Sequence, residues 1–232
     1  MKRFWKEAQA VADGEGWAIR LDGRPVRTPA RALLVVPHAA MAQAIAAEWD
    51  AQGEEIDPRT MPMTGFANAT IDRVLTGPGA FRGQVAAYAE SDLLCYRADE
   101  PEALVARQND VWEPLLDWAR GRFGIAFAVT AGIVPVDQPA RTLAALRGAV
   151  EALDPWLLAG AATMTQLGGT LVGTLALLHG ATEAEALFDA ASLDEHWQAE
   201  QWGEDAEAAA RLAERRTAFL DAARWCALAS AR

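Results

Sequence analysis

The sequence has few of the residues with which proteins bind nucleic acids or anionic membranes. Only two of its 232 residues are lysines, Lys2 and Lys6, and 32 acidic side chains outnumber 21 basic ones, giving a formal charge of −11. Phosphate backbones and anionic lipid surfaces are bound by clustered lysine and arginine. The composition therefore argues against a nucleic-acid partner and against binding to a membrane surface.

Motifs for catalysis and for cofactor binding are also missing. The sequence contains neither a phosphate-binding G-x-x-x-x-G-K-[ST] loop nor a G-x-S-x-G nucleophile turn. Its three histidines, His38, His179 and His196, are isolated, and no metal-ligand spacing surrounds them. Cys95 and Cys226 form no CxxC pair, so we expect two buried thiols in a reducing compartment in preference to a disulfide. We predict no cofactor and no metal centre.

Long uncharged runs are limited to one segment, residues 155–182, which contains no Asp, Glu, Lys or Arg. This length would suffice to cross a bilayer. However, the segment contains Gln166 and His179, has acidic flanks and is interrupted by Gly168-Gly169. A helix that is apolar on all sides also occurs at the centre of a helical domain. We therefore predict a buried helix, or two short helices divided at the glycines, and no membrane insertion.

Strand patterns are confined mainly to the first third of the chain. Residues 17–21 alternate apolar and polar side chains, and residues 32–36 form a short apolar run that ends at a proline. Helical spacing follows over 38–52 and 64–75. The Gly-Pro-Gly sequence at 77–79 is typical of a break between elements.

Helical spacing dominates the rest of the chain. Thr182 and Glu185 have the spacing of a capping box, which predicts a helix start at the threonine. The strands thus precede most of the helices, which indicates an α+β fold. We predict a small β-rich N-terminal domain with one or two helices, residues 1–79, followed by a larger, mostly helical C-terminal domain, residues 80–232.

Acidic side chains are concentrated near the C-terminus. Nine carboxylates and no lysine or arginine lie between residues 183 and 207, together with Trp197 and Trp202. Such a stretch is usually a solvated helix face. Like charges four residues apart also repel, and tryptophan is costly to leave in water, so the segment equally suits docking of a basic, apolar partner. The residues alone leave both interpretations open.

Two carboxylates outside that stretch, Glu90 and Asp92, give an alternative, enzymatic hypothesis. Paired carboxylates perform acid–base chemistry, here in a cleft between the two predicted domains. No histidine, lysine or metal motif accompanies them, so helix capping and ion pairing with arginines such as Arg97 is the simpler interpretation. A further alternative is a generic acidic adaptor that binds proteins without a fixed client.

Seven blocks of sequence, in this order and over nearly the whole chain, resemble the assembly chaperones of the F-type ATP synthase alpha subunit. They are LDGRPVRTP (21–29), AAEWDAQ (46–52), PMT (62–64) with ATIDRV (69–74), YAESDLLCYR (88–97), Gln108 with WEPL (112–115), LDE (193–195) with WQ (197–198), and WGED (202–205).

The resemblance implies a role as a chaperone and not as an enzyme. Members of that family bind the free alpha subunit, shield its assembly interface from aggregation and release it during assembly of the catalytic sector. They are mitochondrial in eukaryotes and cytoplasmic in alpha-proteobacteria, and we expect the bacterial cytoplasm here. The resemblance further implies that an acidic position in the last two blocks binds the client. Our candidates for client binding are Glu195, Trp197, Trp202, Glu204 and Asp205.

Overall fold

The computed structural model describes residues 2–132 and 134–231. The chain divides into two compact units. The first contains Met1–Pro78, Asp154–Gly160 and Asp221–Arg232, and the second contains Gly79–Leu153 and Ala161–Leu220. Compactness does not establish independent folding, so the domain division at residue 79 stays a prediction.

A four-stranded antiparallel sheet lies in the first unit. Its strands are β1 (Ala8–Asp13), β2 (Gly16–Leu21), β3 (Arg24–Pro25) and β4 (Val35–Val36). β2 is central, because it pairs with β1 along one edge and with β3 and β4 along the other. The strand predicted at 17–21 is confirmed, whereas the run at 32–36 contributes only its last two residues to a strand. β1 is therefore an outer strand of the sheet.

Helices make up most of the described chain, and the predicted α+β fold is confirmed. The helices are α1 (Ala39–Asp50), α2 (Pro62–Ala69), α3 (Pro78–Ala87), α4 (Glu102–Phe123), α5 (Ala140–Glu151), α6 (Pro155–Gly168), α7 (Leu171–Leu178), α8 (Ala184–Ala191), α9 (Leu193–Trp202) and α10 (Ala206–Ser230). A short parallel pair, β5 (Tyr96–Arg97) and β6 (Thr130–Ala131), lies in the second unit.

The uncharged segment forms two helices, α6 and α7, as one of the two predicted alternatives has it. Gly169, with φ of +67°, separates them. Six of the eight residues of α7 are buried, and a Cβ atom at Gly173 would lie only 2.5 Å from Cδ1 of Leu187 on α8. Among the described residues, no helix has both the length and the apolar character needed to cross a membrane.

The predictions for the capping box and for the two cysteines have different outcomes. The capping box at Thr182 is wrong, because α8 begins only at Ala184 and the residue at its N-cap is Glu183. A threonine two residues before the first helical residue is not in the capping position. Cys95 and Cys226 are both buried and are not joined in a disulfide, as expected.

Candidate functional site

Helix α9, in the second unit, carries most of the residues predicted to bind a partner, and little of its apolar surface is buried. Leu193 is the buried residue of this helix. Next to it, the carboxylate of Asp194 accepts a hydrogen bond from Nε2 of Gln108 on α4 at 2.8 Å. The helix is therefore positioned by one apolar anchor at its first turn and by polar side chains along its length.

Ion pairs to arginines from other helices provide the rest of this attachment. Arg107 on α4 lies 2.7 Å from Oε2 of Glu200, and Arg215 on α10 lies 2.7 Å from Oε1 of Glu195. The acidic stretch is thus partly neutralised within the molecule. No local pattern indicated this pairing, because the two arginines lie outside the stretch and Arg107 is 93 positions from its partner.

One face of α9 borders a groove, which we call the aromatic groove, with a volume of about 310 Å³. It is lined by Glu100, Pro101, Leu104, Asp194, Trp197, Gln198, Gln201 and Trp202. Trp197 is half-buried, whereas Trp202 is 79% exposed, more than any other large apolar side chain that the structure describes. This groove contains two acidic side chains and neither lysine nor arginine among the residues that line it.

The other face of α9 borders α10 across a larger groove of about 640 Å³, which we call the acidic groove. Three predicted partner-binding residues, Glu195, Glu204 and Asp205, line it. Arg211 and Arg215 line it as well. The structure therefore brings all five predicted residues to one helix and the turn that follows it, but it distributes them between two grooves of different chemistry.

The three acidic candidates differ in whether their carboxylates already have ion-pair or hydrogen-bond partners within the molecule. Glu195 is paired with Arg215, as described above. Asp205 accepts hydrogen bonds from the backbone N–H groups of Glu207 and Ala208 at 2.8 and 3.2 Å, and these bonds hold the pKa of its carboxyl below the usual value. Such bonds are those of a helix N-cap. Glu204 is exposed and has no ion pair with any residue in the described part of the chain.

The turn between α9 and α10 depends on Gly203. Its φ of 91° and ψ of 161° place it in a region that only glycine adopts readily. The N–H of Gly203 donates to the carbonyl oxygen of Ala199 at 2.9 Å and closes the last turn of α9. Trp202 and Glu204 therefore flank the residue at which the chain turns from α9 toward α10.

Glu90 and Asp92 do not form a catalytic pair. The Asp92 carboxylate is buried and accepts hydrogen bonds from the N–H groups of Leu94 at 3.1 Å and Val172 at 2.9 Å. Burial raises its pKa to about 6, although the backbone hydrogen bonds oppose that rise. Glu90 is exposed. Asp92 thus has the capping role that the sequence indicated.

The remaining polar predictions concern Arg97 and metal ligands. Arg97 pairs with Glu113, at 2.9 Å, and not with Asp92. No group of three or more His, Cys, Asp and Glu side chains suited to a metal ion occurs within residues 2–132 and 134–231. The sequence patterns did not indicate Glu100, Pro101 and Leu104 as lining residues of the aromatic groove, because they are about 90 positions from α9.

A family model, two solved structures and a curated relative connect this chain with known proteins. The family model described as "ATP12 chaperone protein" matches residues 2–120. The crystal structure of Atp12 from Paracoccus denitrificans is 40% identical and covers 98% of both chains, with a TM-score of 0.94. A putative chaperone from Agrobacterium tumefaciens, Atu1473, is 42% identical over 97% of this chain and 85% of its own, with a TM-score of 0.93. The mitochondrial protein atp12 of Schizosaccharomyces pombe is 25% identical over 87% of this chain and 74% of its own length.

Proposed function

Because the chain belongs to the ATP12 chaperone family, we propose that it is an assembly chaperone of the F-type ATP synthase and that its client is the free alpha subunit. In this proposal it acts in the bacterial cytoplasm, covers the interface through which the alpha subunit later joins its neighbours, and is released during assembly. Membership in a family of chaperones replaces the enzymatic hypothesis for Glu90 and Asp92.

The observation that carries the proposed docking site is the exposure of Trp202 at the edge of the aromatic groove. A tryptophan that is 79% exposed leaves a large apolar surface in water. Tryptophan is also the residue type most enriched among the energetic centres of protein interfaces. Half-buried Trp197 forms the adjacent wall of the groove. An apolar side chain of the client that fills this groove would remove both indole rings from water.

Charge supports a basic client surface around that apolar contact. Glu100 and Asp194 line the aromatic groove without a lysine or arginine beside them. Glu204, two positions after Trp202 and in the acidic groove, is exposed and unpaired among the described residues. Complementary charge at the rim of an interface accelerates encounter and favours the correct partner more than it raises affinity. Moderate affinity suits a holder that must later release its client, since every 1.4 kcal/mol changes the dissociation constant tenfold.

The test is capture of the purified alpha subunit by the full chain, with Trp202→Ser as the critical variant. We expect wild type to bind the alpha subunit and the beta subunit to compete for it. Trp202→Ser should weaken capture at least tenfold, because removing a tryptophan from the centre of an interface costs about 2 kcal/mol or more. Its melting temperature should stay within about 2 °C of wild type, since the side chain is mostly in water.

The matched control is Phe4→Ser, which removes an aromatic side chain that is 63% exposed and lines neither groove. It should leave capture unchanged. Equal loss of capture in both variants would indicate nonspecific apolar adhesion, and no loss in Trp202→Ser would show that the docking site is elsewhere. Binding of many unrelated proteins and indifference to the alpha subunit would favour the generic adaptor.

A further inference from the structure

Within residues 2–132 and 134–231, the outer strand β1 has no strand partner for one row of its backbone groups. In the β1–β2 register Asp13 faces Gly16 across a two-residue turn, and the N–H of Asp22 donates to the carbonyl oxygen of Glu7 at 3.0 Å. Hydrogen-bonded pairs alternate in an antiparallel ladder. The odd-numbered residues of β1 therefore bond to β2, and the N–H and C=O groups of the even-numbered residues, Ala8, Ala10 and Ala12, face away from the sheet.

A side chain confirms this direction at one end of the row. Oδ1 of Asp50 on α1 accepts a hydrogen bond from the N–H of Ala8 at 2.8 Å. Ala10 is half-buried and Ala12 is exposed. Two outward-facing amides thus remain available next to one that is already occupied.

Space for an added strand lies next to this row. A groove of about 550 Å³ runs between β1 and α1, and small side chains such as Ala10, Ala46 and Ala47 line it. A paired strand lies about 4.8 Å from its neighbour. Natural proteins usually protect such an edge with proline, lysine or a bulge. β1 contains six residues, AQAVAD, with neither proline nor lysine among them.

Charge decides between a second copy of this chain and a different partner. Antiparallel pairing of two β1 strands through their outward amides, centred on Ala10, would put Asp13 of each copy opposite Glu7 of the other. Asp50 would add little to this repulsion, because its Oδ1 lies 3.8 Å from the guanidinium of Arg3. Like charges directly opposite one another destabilise a sheet. A strand that carries lysine or arginine fits these acidic ends.

We propose that β1 and the groove beside it accept an extended, basic segment of the client, which adds to the sheet as a fifth strand. Backbone hydrogen bonds to Ala10 and Ala12 provide the attachment, and Glu7 and Asp13 select a basic strand and disfavour self-pairing. This inference rests on the proposed function for the identity of the client. It adds a second surface, on the first unit, to the docking site on α9.

The test is hydrogen exchange of the full chain, alone and bound to purified alpha subunit, with Ala12→Pro as the critical variant. In the free protein the Ala10 and Ala12 amides should exchange rapidly and those of Gln9 and Val11 slowly. In the complex all four should be slow. Ala12→Pro deletes one outward N–H, and proline is tolerated on an edge strand where the N–H faces outward. It should weaken capture about fivefold, the equivalent of about 1 kcal/mol for one backbone hydrogen bond.

The matched control, Ala12→Val, keeps the N–H and should bind within about twofold of wild type. The inference is overturned if the alpha subunit is captured while the Ala10 and Ala12 amides still exchange rapidly. It is equally overturned if those amides become protected as the concentration of this chain alone is raised, because a second copy is then the occupant. Failure to capture the alpha subunit at all removes the proposed function and this inference together. If Trp202→Ser weakens capture but the complex that still forms protects the Ala10 and Ala12 amides, the effect is confined to the docking site on α9.

Discussion

Two short helices of the second unit, α7 and α9, are stabilised in opposite ways. In α7 six of eight residues are buried, and the side chains of Thr170 and Asp92 accept hydrogen bonds from N–H groups of its first turn. In α9 Leu193 is the buried residue, and no side chain caps its first turn. Packing and capping thus fix α7, whereas ion pairs and one hydrogen bond between side chains hold α9.

The difference shows which helix has surface left for a partner. A helix with few buried apolar contacts contributes little to the stability of the free protein. Substitutions on the exposed face of α9 should therefore change binding more than stability. Substitutions around α7 should do the reverse.

The largest expected effect is the loss of stability in Asp92→Ala. The substitution leaves the buried N–H groups of Leu94 and Val172 without their acceptor, and we expect a loss of about 2–4 kcal/mol in the free energy of unfolding. Urea denaturation measures it. The control is Asp205→Ala, which removes a carboxylate of the same capping type from an exposed helix end and should cost about 1 kcal/mol. Equal losses would contradict the contrast between buried and exposed caps.

A somewhat smaller effect is expected when the pH is lowered from 7.5 to 5. The pKa of Asp92 is about 6 in the folded protein and about 3.8 when it is not perturbed. Between these values the folded chain holds a proton that the unfolded chain lacks, so this group stabilises the fold as the pH falls and loses that effect as the pH rises through 6. The full difference is about 3 kcal/mol, roughly half of which is present at pH 5.

The measurement compares wild type with Asp92→Asn, which stays neutral at both pH values. The difference in free energy of unfolding between the two proteins should shift in favour of wild type at pH 5. A difference that is independent of pH would mean that Asp92 titrates normally and is not buried as described.

The smallest expected effect on stability separates Glu195→Lys from Glu204→Lys. Glu195 pairs with Arg215, so its reversal places two cations together and should cost about 1 kcal/mol, a modest value because both side chains are partly exposed. Glu204 has no such partner among the described residues, so its reversal should leave the free energy of unfolding unchanged within about 0.5 kcal/mol. Both variants should weaken capture of the alpha subunit. Identical unfolding curves for the two variants would show that the ion pair does not hold α9.

Local signals in the sequence predicted much of the fold. The alternation in β2, the spacing of most helices and the interruption at Gly168-Gly169 are all short-range patterns, and each is confirmed. The capping box at Thr182 failed because two compatible residue types do not determine where a helix begins. The grouping of Asp154–Gly160 and Asp221–Arg232 with the N-terminal part had no local signal, since it depends on contacts between distant segments.

In the candidate site, too, the sequence predicted features that depend on neighbouring residues and missed those that depend on distant ones. The clustering of Trp202 and Glu204 near the C-terminus was visible in the sequence, and the structure places both on or next to α9. Their surroundings were not visible, because Glu100 of the aromatic groove and Arg107, the partner of Glu200, lie on or next to the start of α4. Whether a carboxylate is free or paired depends on those distant side chains.

The backbone conformation of Gly203 determines how the residues before and after it are placed relative to one another. With φ of 91° and ψ of 161°, this residue sets the angle at which the chain turns from α9 into α10. Any residue with a Cβ would favour other torsions, and would therefore change the position of Trp202 relative to Glu204. The apolar surface of Trp202 and the charged surface of Glu204 would then face a client in a different relative orientation. This one glycine therefore fixes the geometry of both.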